Sequence, residues 1–256
     1  MPPEPKLMTD RSAPLRGQVA IVTGGGRNIG RAIAIALAEA GAAIVVNARA
    51  SQAEADATVA LVTALGGNAI SCLADVTDRA AIARMVQTTI DTFGHIDILV
   101  NNAVSHGTKP FAELTAADWR HTLEVSLDGA FNCIQACLPS MIARGGGSIV
   151  NIGGSFGHKG SPGRAATAAA KAGIAGLTRA LAVEFAEHRI NVNDVAPGPV
   201  NTQRAVPARI KPQSIPMGRF AEPAEVAAMV TLLCLPEGRY ITGQTVHVNG
   251  GFVMNN

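Results

Sequence analysis

Residues that could do acid–base chemistry lie around one short stretch, residues 163–173 (GRAATAAAKAG). Here Lys171 follows Thr167 by four residues, and an ammonium lowers the pKa of a neighbouring acid. Two histidines, His106 and His158, fall in predicted loops that follow strands, where ligands gather in open parallel sheets. Because histidine titrates near neutral pH, each is a candidate for proton transfer, although an ordinary loop histidine is the plainer interpretation.

Alternating strand and helix patterns must position these residues. Seven short apolar, β-branched runs are typical of strands that are buried on both faces. They are Val19–Thr23, Ala43–Asn47, Ala69–Leu73, Ile98–Asn101, Ser148–Ile152, Ile190–Val195 and Thr245–Val248. Helix formers lie between them, as in Ile29–Ala40 and Ala53–Leu65, each followed by a glycine. The alternation predicts an α/β fold: a single Rossmann domain with a doubly wound, seven-stranded parallel sheet and helices on both faces.

Length and composition favour one large domain. The 256 residues are 48% hydrophobic and 16% charged, which is enough to bury a large core. We predict a flexible N-terminal extension over residues 1–16 and a Rossmann-type domain over residues 17–256 that holds both cofactor and substrate. The proline-rich stretch Pro197–Pro216 is the one long irregular segment and a candidate loop over a ligand.

Charge and cysteine content argue against several classes of protein. The net charge of +2, without a basic run, gives no reason to expect a nucleic-acid partner. There is neither a signal-peptide core nor a run of roughly 18 apolar residues, so we expect no membrane partner. The four cysteines show no disulfide spacing, and Cys133 with Cys137 makes only half of a metal site. We therefore expect a cytoplasmic protein with no metal.

A glycine-rich turn runs from the first predicted strand into the first helix. Its sequence is Thr23-Gly24-Gly25-Gly26-Arg27-Asn28-Ile29-Gly30. Glycine allows a tight turn in which backbone N–H groups approach a pyrophosphate at the positive end of a helix. This placement between a strand and a helix predicts dinucleotide binding. The candidate contacts are Gly24, Gly26, Arg27, Asn28, Ile29 and Gly30.

The end of the second strand indicates which dinucleotide binds. Enzymes that use NAD usually place an acidic residue there, whereas this chain has Asn47-Ala48-Arg49. Arg49 and Arg27 suit a 2′-phosphate, since a guanidinium group is planar and always charged. We therefore expect NADP(H) rather than NAD(H). Asp75 and Val76, after the third strand, are expected near the adenine, although a helix cap by Asp75 is an equal alternative.

Together these motifs resemble the short-chain dehydrogenase/reductase family over nearly the whole chain. Thr23–Gly30 is similar to the family's TGxxxGxG turn, with Asn28 where the middle glycine is usual. Asn101-Asn102-Ala103-Val104 is similar to its NNAG segment, with valine for the last glycine. Pro197-Gly198 followed by Thr202 resembles the segment that covers the nicotinamide in the family. By this resemblance the cofactor contacts also include Asn102, Lys171, Pro197, Gly198 and Thr202.

The resemblance also implies a catalytic tetrad of serine, tyrosine, lysine and asparagine, of which only the lysine is present. Lys171 matches the lysine, which in the family holds the ribose and lowers the pKa of the tyrosine. Thr167 stands in the tyrosine's place, Gly154 in the serine's and Ser126 in the asparagine's. An aliphatic hydroxyl is far more basic than a phenol, whose pKa is about 10, so Thr167 is a poor general acid. The remaining candidates for proton transfer are Ser155, His158 and His106.

The sequence therefore predicts an NADP(H)-dependent oxidoreductase of the short-chain dehydrogenase/reductase type. It would act on a carbonyl or secondary alcohol with a degenerate tetrad. Two alternatives stay open: a non-redox lyase- or hydratase-like enzyme on the same fold, and a catalytically silent dinucleotide-binding protein. The family's tetramers imply a homo-oligomer, a tetramer or dimer, through the predicted helices Trp119–Arg144 and Ala165–Phe185. No charge pattern in the Pro197–Pro216 loop identifies the small-molecule substrate.

Overall fold

The computed structural model describes residues 12–203 and 210–254, and they contain one seven-stranded parallel sheet. The strands are β1 (Val19–Val22), β2 (Ala43–Ala48), β3 (Ala69–Leu73), β4 (Ile98–Asn101), β5 (Gly147–Ile152), β6 (Ile190–Pro197) and β7 (Thr245–Val248). Their order across the sheet is β3-β2-β1-β4-β5-β6-β7. The winding direction changes between β1 and β4, which opens a crevice at the carboxyl ends of the strands, where ligands bind in such sheets.

Helices cover both faces of this sheet. They are α1 (Asn28–Glu39), α2 (Gln52–Ala64), α3 (Arg79–Phe93), α4 (Ala116–Leu123), α5 (Gly129–Arg144), α6 (Ala165–Glu184) and α7 (Pro223–Cys234). One apolar core joins the sheet to α1, α2 and α7, and a second joins it to α3, α5 and α6. Alternate residues of β1 serve the two cores, Ala20 and Val22 the first and Ile21 the second. The predicted single-domain, doubly wound Rossmann fold is confirmed.

Element boundaries differ from the prediction in a few places. β6 continues to Pro197, beyond the predicted end at Val195, because Pro197 still pairs with Val248 of β7. The predicted helix Trp119–Arg144 is divided, since a π-helical turn over Glu124–Asp128 separates α4 from α5. A Cβ at Gly129, the first residue of α5, would lie only 2.6 Å from the Val76 side chain. The glycine therefore allows α5 to pass close to the loop after β3.

The N-terminal segment contributes to the core. Leu15 is fully buried, and its N–H donates to the Ala40 carbonyl at 2.8 Å. Part of the predicted extension is thus folded, although residues 1–11 lie outside the described residues. The domain boundary at residue 17 stays a prediction.

Two findings concern membranes and metals. In the part of the chain that the structure describes, no helix is long and apolar enough to cross a membrane. Within the same residues, no three His, Cys, Asp or Glu side chains are grouped so that they could hold a metal ion. Cys133 and Cys137 lie in the core between the sheet and α5, and burial raises the pKa of the Cys133 thiol to about 12.

Candidate functional site

The glycine-rich turn is held by polar side chains from the ends of β1 and β4. Thr23 Oγ1 donates to the Val100 carbonyl at 3.2 Å and accepts the Asn102 N–H at 2.9 Å. The Asn102 carboxamide donates to the carbonyls of Thr23 (2.9 Å) and Gly24 (3.1 Å). Asn102, a predicted cofactor residue, therefore shapes the turn by binding its backbone.

Asn47 is a further residue of this site that the sequence analysis did not assign. Its Oδ1 accepts the Gly24 N–H at 3.4 Å, and its Nδ2 donates to the carbonyls of Cys72 (3.2 Å) and Ala74 (3.0 Å). One buried side chain thus joins the carboxyl ends of three strands. A single polar residue in the apolar run AIVVNA was the available signal, since a buried carboxamide needs partners.

Close approach explains the glycines of the turn. A Cβ at Gly30 would lie 2.2 Å from the Gly24 carbonyl oxygen, so α1 begins in direct contact with the turn. Gly24 has φ +61°, and a Cβ at Gly26 would lie 3.1 Å from Glu54. Asn28 also has a positive φ, +51°, a conformation that asparagine tolerates better than most residues. Asn28 therefore takes the backbone conformation of a glycine.

The start of α1 fits the diphosphate of a dinucleotide. The first N–H groups of any α-helix lack partners within the helix. At α1 the N-cap residue Arg27 provides no side-chain hydrogen bond, whereas Asp78 accepts the Ala80 and Ala81 N–H groups at α3. A diphosphate satisfies such groups and interacts favourably with the helix dipole. Ile29 packs against the core behind the turn.

The two predicted phosphate-binding arginines lie at the surface beside this turn. Arg27 is 64% exposed and forms an ion pair with Glu54 at 3.5 Å, a weak contact in solvent. Arg49 follows β2 and is exposed, and its charge helps to lower the pKa of Asp75. Both guanidinium groups therefore remain accessible to a ligand.

Asp75 does not cap a helix, so that alternative is wrong. Its Oδ1 accepts the N–H (2.9 Å) and hydroxyl (2.8 Å) of Thr77, and the cap of α3 is Asp78. Burial raises the pKa of Asp75, but the Thr77 hydrogen bonds and nearby positive charges outweigh it and hold that pKa below its usual value. Val76 is buried against Gly129. Asp75 is thus an ionised side chain at the edge of the predicted adenine site.

Lys171 and Asp194 bind opposite ends of one peptide group. Lys171 Nζ donates to the Ile152 carbonyl at 2.6 Å, and Asp194 Oδ1 accepts the Gly153 N–H at 2.8 Å. Burial lowers the pKa of Lys171 to about 8, although the Asp194 charge raises it. Burial likewise raises the pKa of Asp194, against the effect of Lys171. Both shifts favour the neutral forms, so desolvation exceeds the attraction within the pair.

Asp194 was missed because no motif contains it. It is the charged residue of the β6 run INVNDVAP, and it is fully buried. Thr245 Oγ1 donates to its Oδ2 at 3.2 Å. A charged residue in a strand that is buried on both faces was the available signal, because a buried charge needs partners.

The predicted hydroxyl-bearing residues Thr167, Ser155 and Ser126 are all buried. Thr167 and Ser155 are each 3% exposed, and Ser155 Oγ donates to the Pro197 carbonyl at 2.8 Å. Ser126 lies in the π-helical turn and accepts the Ser105 N–H at 3.2 Å. Gly154 has φ +156°, and no heavy atom lies within 4 Å of a Cβ built there. A side chain at position 154 thus has space but requires a strained backbone.

The two candidate histidines occupy different environments. The rings of His158 and His247 meet edge to face at 4.7 Å, and His158 Nε2 is buried without a hydrogen-bond partner. The preceding Gly157 touches Lys171, since a Cβ there would lie 2.9 Å from the lysine Cβ. His106 is exposed in the irregular segment after β4. Of these two histidines, only His158 lies in a loop that contacts Lys171, through Gly157.

The segment after β6 closes this edge of the sheet. The Gly198 N–H donates to the Val248 carbonyl at 3.0 Å, and a Cβ at Gly198 would lie 2.8 Å from Asn249. Glycine is required by that contact. Thr202 follows on the side of the glycine-rich turn, because Gln203 hydrogen-bonds to Asn28. The predicted loop Pro197–Pro216 includes residues 204–209, which lie outside the described residues.

A parallel sheet wound on both faces, with a glycine-rich turn leading into α1, defines a Rossmann-type protein. Residues 9–253 match the family described as Enoyl-(Acyl carrier protein) reductase. A 3-oxoacyl-[acyl-carrier-protein] reductase of Synechocystis sp. is 41% identical over 94% of this chain and 98% of its own length. A reductase of the same name from Staphylococcus aureus is 38% identical over 92% of this chain and 98% of its own.

Solved structures agree with these relatives. A short-chain dehydrogenase/reductase from Serratia marcescens has a TM-score of 0.89 and 35% identity, covering 93% of this chain and 99% of that one. A putative short-chain alcohol dehydrogenase from Sinorhizobium meliloti also has a TM-score of 0.89, with 36% identity over 94% and 98% of the two chains. The chain belongs to the short-chain dehydrogenase/reductase family.

Proposed function

We propose that the protein is an NADP(H)-dependent oxidoreductase that interconverts a carbonyl and a secondary alcohol. The uncapped start of α1, with Lys171 further along the same sheet edge, is the observation that carries this proposal. A bound nicotinamide dinucleotide supplies the hydride. The chain itself must hold the diphosphate at the turn, hold the ribose with Lys171 and move a proton at the substrate oxygen. We further propose that residues 17–256 hold cofactor and substrate in one domain.

The proposed substrate class is a 3-oxoacyl thioester. The names of the Synechocystis and Staphylococcus relatives support it, since those proteins align with almost the whole chain. The NADP(H) preference is supported by the exposed Arg27 and Arg49 and by Asn47 at the end of β2. The Asn47 carboxamide is fully used in hydrogen bonds to the glycine-rich turn and to the end of β3. The end of β2 therefore has no carboxylate of the kind that usually binds the ribose 2′-hydroxyl of NAD.

Proton transfer is proposed to depend on His158. The degenerate tetrad offers few other donors, because the Ser155 proton is directed to Pro197 and Thr167 is a poor acid. An imidazole can take part in acid–base catalysis, and His158 has an unbonded Nε2 and follows Gly157, which touches Lys171. We expect the His158→Gln variant to retain NADPH binding and to lose most NADPH oxidation, whereas the His106→Gln variant should retain both.

A dinucleotide-binding protein without turnover is the second candidate. The buried positions of Thr167 and Ser155 favour it, since each residue is only 3% exposed. The two candidates separate when NADPH binding is measured by calorimetry and NADPH oxidation is followed spectroscopically with 3-oxoacyl thioesters, ketones and aldehydes. Binding with turnover supports the oxidoreductase, and binding without turnover supports the second candidate. A protein that binds no NADPH contradicts both. Turnover that persists after removal of the dinucleotide instead identifies a non-redox enzyme.

The double variant Gly154→Ser/Thr167→Tyr tests whether only the catalytic groups differ from those of an active reductase. Appearance of NADPH oxidation in this variant alone would support the silent protein as the natural state. The positive φ of Gly154 adds strain to the serine, so the folded state must be verified by thermal unfolding. Gly154→Ala is the matched control, since it carries the strain without the hydroxyl.

We also propose a homotetramer or dimer assembled through α5 and α6. Large apolar side chains on these helices are exposed in the single chain: Phe131 (44%), Ile142 (38%) and Val183 (82%). Exposed apolar surface of this kind favours association. Light scattering on the purified protein measures the state directly, and a monomer would contradict the proposal.

A further inference from the structure

Asn28 connects two parts of the site that are far apart in the sequence. The Gln203 N–H donates to Asn28 Oδ1 at 3.0 Å, and Asn28 Nδ2 donates to the Gln203 carbonyl at 3.3 Å. A carboxamide has both a donor and an acceptor, so one side chain can pair with both backbone groups of one residue. Asn28 lies in the glycine-rich turn, and Gln203 lies in the segment that follows β6.

The backbone at position 28 does not require a side chain. Its φ of +51° is a conformation that glycine adopts without strain and that asparagine tolerates. A glycine at this position would therefore keep the turn and lose both hydrogen bonds to Gln203. The asparagine adds a connection to the loop while the turn keeps its shape.

The other end of the same segment is fixed to the start of α7. Val200 forms a β-bridge with Ala221, whose carbonyl accepts the Asn201 N–H at 2.8 Å. The Asn201 carboxamide donates to Glu222 Oε1 at 3.1 Å. Thr202 thus lies between an attachment to α7 and the attachment to Asn28.

We propose that Asn28 is a positioning residue that holds the Thr202 segment against the glycine-rich turn. The turn binds the diphosphate and Thr202 lies on the nicotinamide side, so this contact strengthens binding of the nicotinamide half of the ligand. The inference rests on the proposed dinucleotide binding. It adds that Asn28 connects the sites for the two halves of that ligand.

Asn28→Gly is the decisive variant, and calorimetry with two ligands is the measurement. One ligand is NADPH, and the other is adenosine 2′,5′-bisphosphate, which lacks the nicotinamide half. Without these two hydrogen bonds the Thr202 segment is no longer held in place before the ligand binds, so the Kd for NADPH should rise about three- to tenfold. The Kd for the bisphosphate should not change, because that ligand does not reach Thr202.

Each other result has a defined meaning. An equal loss for both ligands would show that Asn28 only shapes the turn, and an unchanged NADPH Kd would show that the contact does not serve binding. Either outcome overturns the inference while leaving the proposed function intact. Wild-type protein that binds no NADPH contradicts the proposed function itself, and the inference fails with it.

Hydrogen exchange tests the contact independently of any ligand. The Gln203 amide should exchange several times faster in Asn28→Gly than in the wild type. In Asn28→Asp it should stay protected, because aspartate tolerates the positive φ and keeps the acceptor oxygen. Equal exchange in the wild type and Asn28→Gly would overturn the inference. Matching thermal unfolding curves verify that both variants are folded.

Discussion

The dinucleotide end and the proposed catalytic end of the site depend on different kinds of chemical groups. At the dinucleotide end, Thr23, Asn47 and Asn102 hold the glycine-rich turn through its own backbone. At the proposed catalytic end, Ser155 and Ser126 also bond to backbone groups, and the resemblance predicts that Thr167 stands in the place of the family's acid. The first end uses backbone N–H groups to bind, and the second must use side chains to react.

This difference predicts that substitutions have unequal consequences at the two ends. A backbone binding site tolerates any residue that adopts the required φ, as Asn28 does in place of glycine. A proton-transfer site depends on the pKa and reach of a particular side chain, so the predicted replacement of a phenol by Thr167 would change its chemistry. Binding can therefore persist in a chain whose catalytic groups have changed.

The largest expected effect is a loss of dinucleotide binding in Gly30→Ala. The new Cβ would lie 2.2 Å from the Gly24 carbonyl oxygen, which forces the turn to shift. Overpacking of this kind costs about 1–3 kcal/mol, which corresponds to about a 5- to 150-fold rise in the NADPH Kd if the whole cost opposes binding. Gly176→Ala on α6 is the control, since no heavy atom lies within 4 Å of its Cβ. Wild-type affinity in Gly30→Ala would show that the turn does not bind the ligand.

A smaller effect is expected from Arg49→Ala. A charge-assisted hydrogen bond to phosphate is worth about 1.5–3 kcal/mol when fully formed, and at an exposed site we expect about a tenfold loss for NADPH. Affinity for NADH should stay unchanged, since it has no 2′-phosphate. Arg84→Ala, at an exposed position of α3, is the control. Equal losses for both cofactors would argue against the NADP(H) preference.

The smallest effect is a change in pH dependence in Asp194→Asn. Burial lowers the pKa of Lys171 to about 8 and Asp194 raises it, so removing the carboxylate lowers this pKa further. Dinucleotide affinity should then begin to fall at lower pH, with a loss of about twofold at pH 8 and none at pH 6. Titrations from pH 6 to 9 measure it. An identical pH profile in the variant would show that Asp194 does not influence dinucleotide binding through the pKa of Lys171.

The stability of the folded protein should also depend on the ionisation of Lys171. Because the folded pKa of Lys171 lies below its usual 10.5, the unfolded state binds more protons between pH 8 and 10.5. The cost of burying the ammonium is complete below that window and decreases as pH rises through it. Relative to Lys171→Met, the wild type should gain stability from pH 8 to 10. Thermal unfolding measured at several pH values tests this, with His158 and Asp194 as the nearby titrating groups.

Much of the fold follows from local pattern. Strands such as β2 and β5 are short, mostly apolar runs, and burial on both faces favours apolar residues along the strand. The division of the predicted helix Trp119–Arg144 at a π-helical turn was not predictable, because helical spacing continues through it. The glycine-rich turn was predictable because its chemistry is in the backbone and requires glycine at specific positions.

The polar residues around Lys171 could not be placed from the sequence. Asp194 comes near Lys171 only when β5 and β6 pair and α6 packs on them. His158 meets His247 through the loop after β5, although the two are distant in the chain. Contacts of this kind depend on strand order and helix packing, which residue spacing does not specify.

The peptide group between Ile152 and Gly153 has the Lys171 amino group at its oxygen and the Asp194 carboxyl group at its N–H. Such an amide is polarised by both neighbours, so its chemical shifts respond to the ionisation of either. In an NMR titration, the Gly153 resonance should therefore follow loss of the Lys171 proton. The Gly153 backbone signal, next to Gly154 and Ser155, would thus report the charge of the Lys171 side chain, which gives no convenient NMR signal of its own.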